Sequence, residues 1–256
     1  MKGWYLESMN RNIFLTVRSG SRRLIQKCYL TSKGLPNIVR LIRNLRRSKE
    51  ANLLVLCTTE LPEDDRLCDI ARDEGISFYR GSAEDKLDRW NKACPMFDTE
   101  FFVAADGDDL FADTDLIDLT IQQWDNNKAD FIKPEGLVCG AVGYGIRAYA
   151  LSQVCRDKDT TDTEMMWPYF LTGKFKVEDL QDVPEIYKRP EIRATLDYEE
   201  DFAFFNEVIN NFSGPDFTLK DVIQLVDRHP ELLKINQFRQ KDFLDNQKAK
   251  TKLVLK

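Results

Sequence analysis

Five short β-rich runs, each closed by turn residues and separated by stretches of helical period, constrain this chain more than any other feature. The runs are Ile13–Val17, Asn52–Cys57, Ser77–Tyr79, Phe101–Ala105 and Phe131–Lys133. Such alternation implies a mostly parallel sheet, because parallel neighbours need a long crossover and the crossover helix covers the sheet. Between the runs, Ile38–Arg46 puts Ile38, Val39, Ile42 and Leu45 on one face, and Glu63–Asp73 gathers Leu67, Ile70 and Ala71. Gly75 is placed to end that second helix with a left-handed residue. Ala83–Cys94 and Asp115–Trp124 repeat the pattern, the latter behind the cap residues Asp113 and Thr114. The expected fold class is therefore α/β, a mostly parallel sheet flanked by helices, with a small helical C-terminal extension.

After Gly136 the rhythm changes to a glycine-spaced segment, Gly136 to Gly145, which suits a tight reversal or a close approach to a ligand. Arg147–Cys155 and Asp162–Phe170 read as helices, and Glu191–Leu196 as a late strand. Tyr198–Phe212 carries Phe202, Phe205, Val208 and Ile209 at helical spacing as core. Leu219–Val226 and Glu231–Ile235 read as short terminal helices, and Gln240–Lys256 as a polar tail. The division expected is an N-terminal extension (1–12), one domain (13–212) and a C-terminal extension (213–256).

Composition enters as a filter. With 43% apolar residues and 16 Phe among 256 residues the chain can bury a full core. Its 37 basic and 43 acidic residues give a net charge of −6, which argues against a general affinity for nucleic acid or an anionic membrane. Any anion site must be local. The longest apolar stretches are far short of the roughly 20 residues of a membrane span, and Met1–Glu7 lacks a leader's basic-then-apolar pattern, so a cytoplasmic protein is expected. Six scattered cysteines without a C-x-x-C pair fit reduced thiols.

Three stretches can carry chemistry. Val17-Arg18-Ser19-Gly20-Ser21-Arg22-Arg23-Leu24-Ile25-Gln26-Lys27 follows the first strand with four cations, two serines and a glycine, the make-up of a phosphate cradle. It has neither the Walker order nor G-x-G-x-x-G, and a solvated basic loop is the plain alternative. Phe101–Ala105 ends in Asp106, Asp108 and Asp109. Ligands of open α/β sheets lie beyond the strands' carboxyl ends, so these acids and the basic loop should share one crevice. Carboxylates beside a phosphate cradle imply a bridging cation, and Mg²⁺ fits because it takes one or two carboxylates plus phosphate oxygens and water. Arg193 to Asp201 is again a run ending in acids. Asp197 is a second metal candidate, whereas Glu199, Glu200 and Asp201 suit a helix's first turn. Arg80 to Arg89 follows the third run, with Ser82 as a candidate N-cap and Asp85 three residues on.

These stretches resemble the cytidylyltransferases that make CMP-activated sugars, most closely the spore-coat polysaccharide type. The opening motif A-R-x-G-S-x-R-L-P-G-K is matched at Arg18, Gly20, Ser21, Arg23, Leu24 and Lys27. Cys57-Thr58-Thr59 with Asp64-Asp65, Arg80-Gly81-Ser82 with Asp85, Gly107-Asp108 and Thr195-Leu196-Asp197 with Glu200-Asp201 follow the later motifs. The terminal Leu219–Asn236 segment is similar too.

The resemblance implies a Rossmann-like nucleotide-diphospho-sugar transferase fold and an Mg²⁺-dependent enzyme that moves CMP from CTP to an acidic sugar. It implies a sugar-pocket and homodimerisation segment in 136–190. Arg18, Lys27 and Asp108 would be catalytic. Arg18, Ser19, Gly20, Ser21, Arg23, Lys27, Thr58, Arg80, Ser82, Asp85 and Asp106 would line the nucleotide, and Asp108 and Asp197 would hold Mg²⁺.

Departures are equally specific. Ile25-Gln26 replaces Pro-Gly, so a different turn is expected before Lys27. Ala104 and Asp106 stand where an arginine and a threonine are usual, Leu110 replaces a proline, and Glu164-Met165-Met166-Trp167 replaces a Glu-His pair. Two competing readings stand: a glycosyltransferase using Asp106-Gly107-Asp108 as a D-x-D motif, and an inactive nucleotide-binding homologue. His229 suits a cap or surface role.

Overall fold

The computed structural model describes residues 10–21 and 23–256. Arg22, Trp4 and most of the N-terminal extension lie outside the described residues. The elements are, in chain order, β1 (Asn10–Thr16), β2 (Thr31–Ser32), β3 (Leu35–Pro36), α1 (Asn37–Leu45), β4 (Leu53–Thr59), α2 (Asp65–Asp73), β5 (Ser77–Gly81), α3 (Lys86–Met96) and β6 (Thr99–Asp106). They continue with α4 (Thr114–Asn127), β7 (Phe131–Lys133), β8 (Gly145–Arg147), α5 (Ala148–Asp157), β9 (Val177–Asp179), α6 (Glu199–Asn210), α7 (Leu219–Arg228) and α8 (Arg239–Lys250).

Seven strands form one sheet in the order β5-β4-β1-β6-β8-β7-β9, and β2 and β3 form a separate small hairpin. β8 runs antiparallel to both its neighbours, and the other pairs of the seven-stranded sheet are parallel. Alternate side chains feed two cores, one on each face. Ile13 and Leu15 of β1 join Leu56 and Val103 on one side, while Phe14 joins Val55, Phe102 and Trp90 on the other. Phe14 and Phe102 stack at 4.4 Å, and Trp90 meets Phe102 edge-on at 5.5 Å. The first four strands in space run backward from β5 to β1 and then jump to β6, so the winding reverses between β1 and β6. A ligand crevice belongs there.

Several expected elements differ. Glu191–Leu196 is an extended segment with one bridge, Cys139 to Arg193, because its backbone bonds go to Cys139 and Asp108 rather than to a sheet strand. Asp162–Phe170 holds only a 3₁₀ turn, Trp167–Phe170, since Thr163 is spent on Leu87 N and Asp85. Pro230–Ile235 is also 3₁₀, opened by its proline. α3 starts at Lys86 with Asp85 as its N-cap, so Ser82 does not start the helix but caps the turn before it. The polar tail folds as α8, and Leu255 bridges to Lys158. Gly75 does end α2 with φ 65°, and Asp113 does cap α4 through Leu116 N. The glycine-spaced segment is a reversal against β6: a Cβ on Gly143 would sit 1.9 Å from the Ala104 carbonyl oxygen. Among the described residues no helix is long and apolar enough to cross a membrane.

Candidate active site

β1 and β6 end side by side, with Thr16 opposite Asp106, so the loops leaving them must share space. Gly107 N donates to Thr16 O at 2.8 Å, and a Cβ on Gly107 would lie 2.7 Å from Val17 Cβ. Only glycine lets the acidic loop pass this close to the basic one.

The two loops meet at Lys27. Its ammonium donates to Asp108 Oδ2 at 2.6 Å, to the Leu196 carbonyl at 2.8 Å and to Asp197 Oδ1 at 2.9 Å. Arg23 closes on the same Asp197 oxygen. Residues from three distant stretches thus converge on one point, and Leu196 N donates back to Asp108 O at 2.9 Å. Lys27 and Asp197 are buried, while the Asp108 side chain is 34% exposed and faces the crevice.

A second layer holds Asp197 in place. Arg193, 1% exposed, donates to Asp197 Oδ2 at 3.3 Å and to both Asp201 oxygens at 2.8 and 2.9 Å. Asp201 accepts from the Asp197 and Tyr198 amides at 2.9 and 3.0 Å, so it orders the start of α6 and the metal candidate together. Asn236 seals this layer from the terminal segment by donating to Arg193 O and Asp201 Oδ1, both at 3.0 Å. Sequence reasoning left Arg193 and Asn236 without roles and Asp201 as a first-turn acid. The available signal was the Arg-x₃-Asp-x₃-Asp spacing.

Charge is finely divided here. Burial pulls the Lys27 ammonium down, but Asp108 and Asp197 outweigh it and its pKa ends raised. Burial pushes Asp197 up, yet Lys27 and Arg23 hold it down to about 2. Asp108 goes the other way: although a third of its side chain meets solvent, desolvation of the remainder, reinforced by Asp197, exceeds the pull of Lys27 and raises it. Asp109, hydrogen-bonded to Thr195, is raised well above the usual range by burial and by Asp106. Lys27, Arg23 and Arg193 thus face Asp108, Asp197 and Asp201 one for one, and Asp109 is the acid held toward its neutral form.

The remaining expected site residues divide into two groups. Ser19 is clamped by Asp64, its amide at 2.7 Å and its hydroxyl at 2.6 Å, and Thr58 donates to the other Asp64 oxygen at 3.0 Å. Both side chains are buried anchors of the loop. Arg80 ties down the loop after β4 through Thr59 O, Leu61 O and Asp65. Ser82 caps a turn, and Asp85 binds Thr163 and Lys158 behind α3. Toward the crevice, Arg18 reaches Ala83 O at 3.2 Å and Glu164 at 3.5 Å, both in exposed contacts. Asp106 pairs with Lys86 at 2.9 Å and is half-exposed. Asp106 and Asp108 therefore face different lysines, which does not suit a D-x-D pair sharing one cation. Ser21 N donates to Ser19 O, and a Cβ on Gly20 would meet Glu63 Oε1 at an ordinary 3.8 Å. Gln26, at the motif's glycine position, has φ 49° and ψ 35°. It holds a left-handed turn that glycine adopts without cost and that puts backbone strain on a glutamine.

The donor set can hold a divalent cation. Asp108 and Asp197 place carboxylate oxygens within 2.6 and 2.9 Å of a single ammonium, so a cation taking the place of Lys27 would meet both. Among the described residues no group of three or more His, Cys, Asp or Glu side chains is set to bind a metal by itself. The pair fits Mg²⁺ only if phosphate oxygens and water complete the shell.

The sequence matches the family described as Cytidylyltransferase over residues 13–246. The spore coat polysaccharide biosynthesis protein SpsF of Bacillus subtilis is 28% identical over 235 residues, 87% of this chain and 97% of the relative. Among solved structures, a cytidylyltransferase from Leptospira borgpetersenii superposes with a TM-score of 0.81 at 24% identity, covering 88% of this chain and 97% of that one. A CMP:2-keto-3-deoxy-manno-octonic acid synthetase complexed with CTP gives 0.60 at 12% identity, covering 79% and 99%. Both share the α/β nucleotide-diphospho-sugar transferase fold.

Proposed function

The chain belongs to the cytidylyltransferase family and is a CTP-dependent nucleotidyltransferase; from that premise we propose that it transfers CMP from CTP to an acidic sugar. Convergence of Lys27, Asp108 and Asp197 at the β1/β6 switch point carries this reading. A sugar hydroxyl oxygen bonds to the α-phosphorus, the bond to pyrophosphate breaks, and the hydroxyl proton passes to solvent. The acid sugar is suggested by the octonic acid synthetase that shares the fold, and a role in surface polysaccharide assembly by the relative's name.

Such a transfer needs positioning and charge more than covalent chemistry. Lys27 and Arg23 are held by carboxylates until phosphate offers a better partner. Arg18, in a weak exposed contact with Glu164, is free to swing to the β/γ phosphates with Lys27. Asp108 and Asp197 would hold Mg²⁺, which when bound neutralises charge building on the leaving pyrophosphate. Ser21 and the amides near Gly20 would add hydrogen bonds. Asp64 and Arg193 keep these groups in place. A homodimer through 136–190 is supported by exposed Tyr149 and Leu171, and light scattering tests it.

The test is calorimetry of CTP, UTP, GTP and UDP- or GDP-sugars, with and without Mg²⁺, on wild type and Asp108→Asn, followed by pyrophosphate release with a panel of acidic sugars. Mg²⁺-dependent CTP preference lost in Asp108→Asn is expected. Turnover of Asp108→Asn within about tenfold of wild type would remove Asp108 from the metal site. Preference for an intact nucleotide-sugar would point to glycosyl transfer, and CTP binding without pyrophosphate release to an inactive homologue.

A further inference from the structure

A second cationic cavity, of about 70 Å³, lies outside this crevice between α1 and the loop entering α7. Arg40 and Arg43 line it from α1, at i and i+3 on one helix face, and Arg47 lines it from the turn just past the helix end. Arg43 is already committed, with a bidentate pair to Glu74 at 2.8 and 3.0 Å. Arg40 is different. It is 8% exposed, donates Nη2 to Ser32 O at 3.0 Å, and among the described residues its buried Nε has no partner. Burial lowers its pKa, and among the described residues no neighbouring carboxylate offsets that.

A guanidinium buried without an anion is expensive, so natural sites pair it. The acid lining this cavity, Asp216, is exposed to solvent, and Asp221, in the first turn of α7, feels the charge of Arg47 while its carboxylate accepts from Thr218. Facing the arginines is the N-terminus of α7, whose dipole also favours negative charge and whose cap is Thr218. The remaining wall is apolar, including Phe111 and Phe217. We infer that this cavity binds a small amphipathic oxyanion, its phosphate or carboxylate head on Arg40 and Arg47 and its apolar stem against Phe111 and Phe217. The ligand would touch the scaffold of the crevice, because Phe111 lies three residues after Asp108 and Ser32 five after Lys27.

The experiment is thermal unfolding of the full chain at constant ionic strength with phenyl phosphate, benzoate or inorganic phosphate. Phenyl phosphate or benzoate should raise the midpoint by several degrees at saturation, and which one does so identifies the head group. The rise should persist in Lys27→Ala and vanish in Arg40→Gln. Arg47→Ala, an exposed change that spares the fold, should weaken the ligand about tenfold, the cost of one charged hydrogen bond. The inference is overturned if none of the three shifts the midpoint. It is equally overturned if the rise is lost in Lys27→Ala and unchanged in the two arginine variants, since the ligand then sits in the crevice. Inorganic phosphate binding as tightly as phenyl phosphate would overturn the apolar half.

Discussion

The basic loop after β1 is held at its two ends by opposite means. At Ser19 it is fastened to Asp64, a carboxylate surrounded by neutral donors from Ser19, Thr58 and Thr59. Burial raises the Asp64 carboxyl, but these hydrogen bonds outweigh it and hold its pKa below the usual value. At Lys27 the same loop is fastened by ion pairs to Asp108 and Asp197, and there Asp108 is raised. A carboxylate satisfied by fixed neutral donors has nothing to exchange, so it anchors. Mutually neutralising charges in a partly open crevice can trade partners when a triphosphate and its cation arrive. One end of the loop is scaffold and the other is machinery.

The largest effect that sharpens this contrast is expected from Lys27→Ala. It should lower kcat/KM about 100- to 1000-fold, or about 3–4 kcal/mol of transition-state stabilisation, as loss of a preorganised charged donor does. Its thermal midpoint should fall less than that of Asp64→Ala, because Asp197 keeps Arg23 and Arg193 and Asp108 can take up a proton. Comparable losses of stability in the two variants would break the division between scaffold and machinery.

Asp64→Ala should cost about 2–3 kcal/mol of unfolding free energy by stranding buried donors, measured by denaturant titration. Because the folded pKa of Asp64 is depressed, its contribution is complete above the ordinary carboxyl value of about 3.9 and is lost as pH falls through the folded value. The gap between wild type and variant should therefore be constant from neutral pH to about pH 5 and narrow in acid. A gap that widens on acidification would reverse the sign assigned here. The smallest effect, from Gln26→Gly, relieves left-handed backbone beside Lys27 and should stabilise the fold by about 1 kcal/mol. Its effect on kcat reports whether that strain aims Lys27.

The sheet and both loops were legible because local pattern carries them. The apolar runs of β1, β4 and β6 identify themselves by composition and bounding turns, and Arg-Ser-Gly-Ser and Asp-Gly-Asp-Asp stand at their ends. The Arg193–Asp201–Asn236 layer was hidden, since Asn236 reaches back 43 residues to the Arg193 carbonyl. Arg193 reads as an ordinary cation until its burial is known. β8 was missed because its three residues look like part of a glycine loop, and only contact with Phe101–Val103 makes them a strand. α8 was hidden by its polarity, as none of its residues is buried.

By itself the sequence determined the α/β alternation, the positions of the cationic and acidic loops, and through them the family. Periodicity and turn chemistry act over a few residues, so a linear reading captures them. Tertiary structure alone decided which charges meet. Lys27 and Asp197 are 170 residues apart yet share a hydrogen bond of 2.9 Å, whereas Asp106 and Asp108, two residues apart, turn to different lysines. Such pairings depend on where the strand ends lie in space and on how far burial strengthens each charge, and neither property is local to the chain.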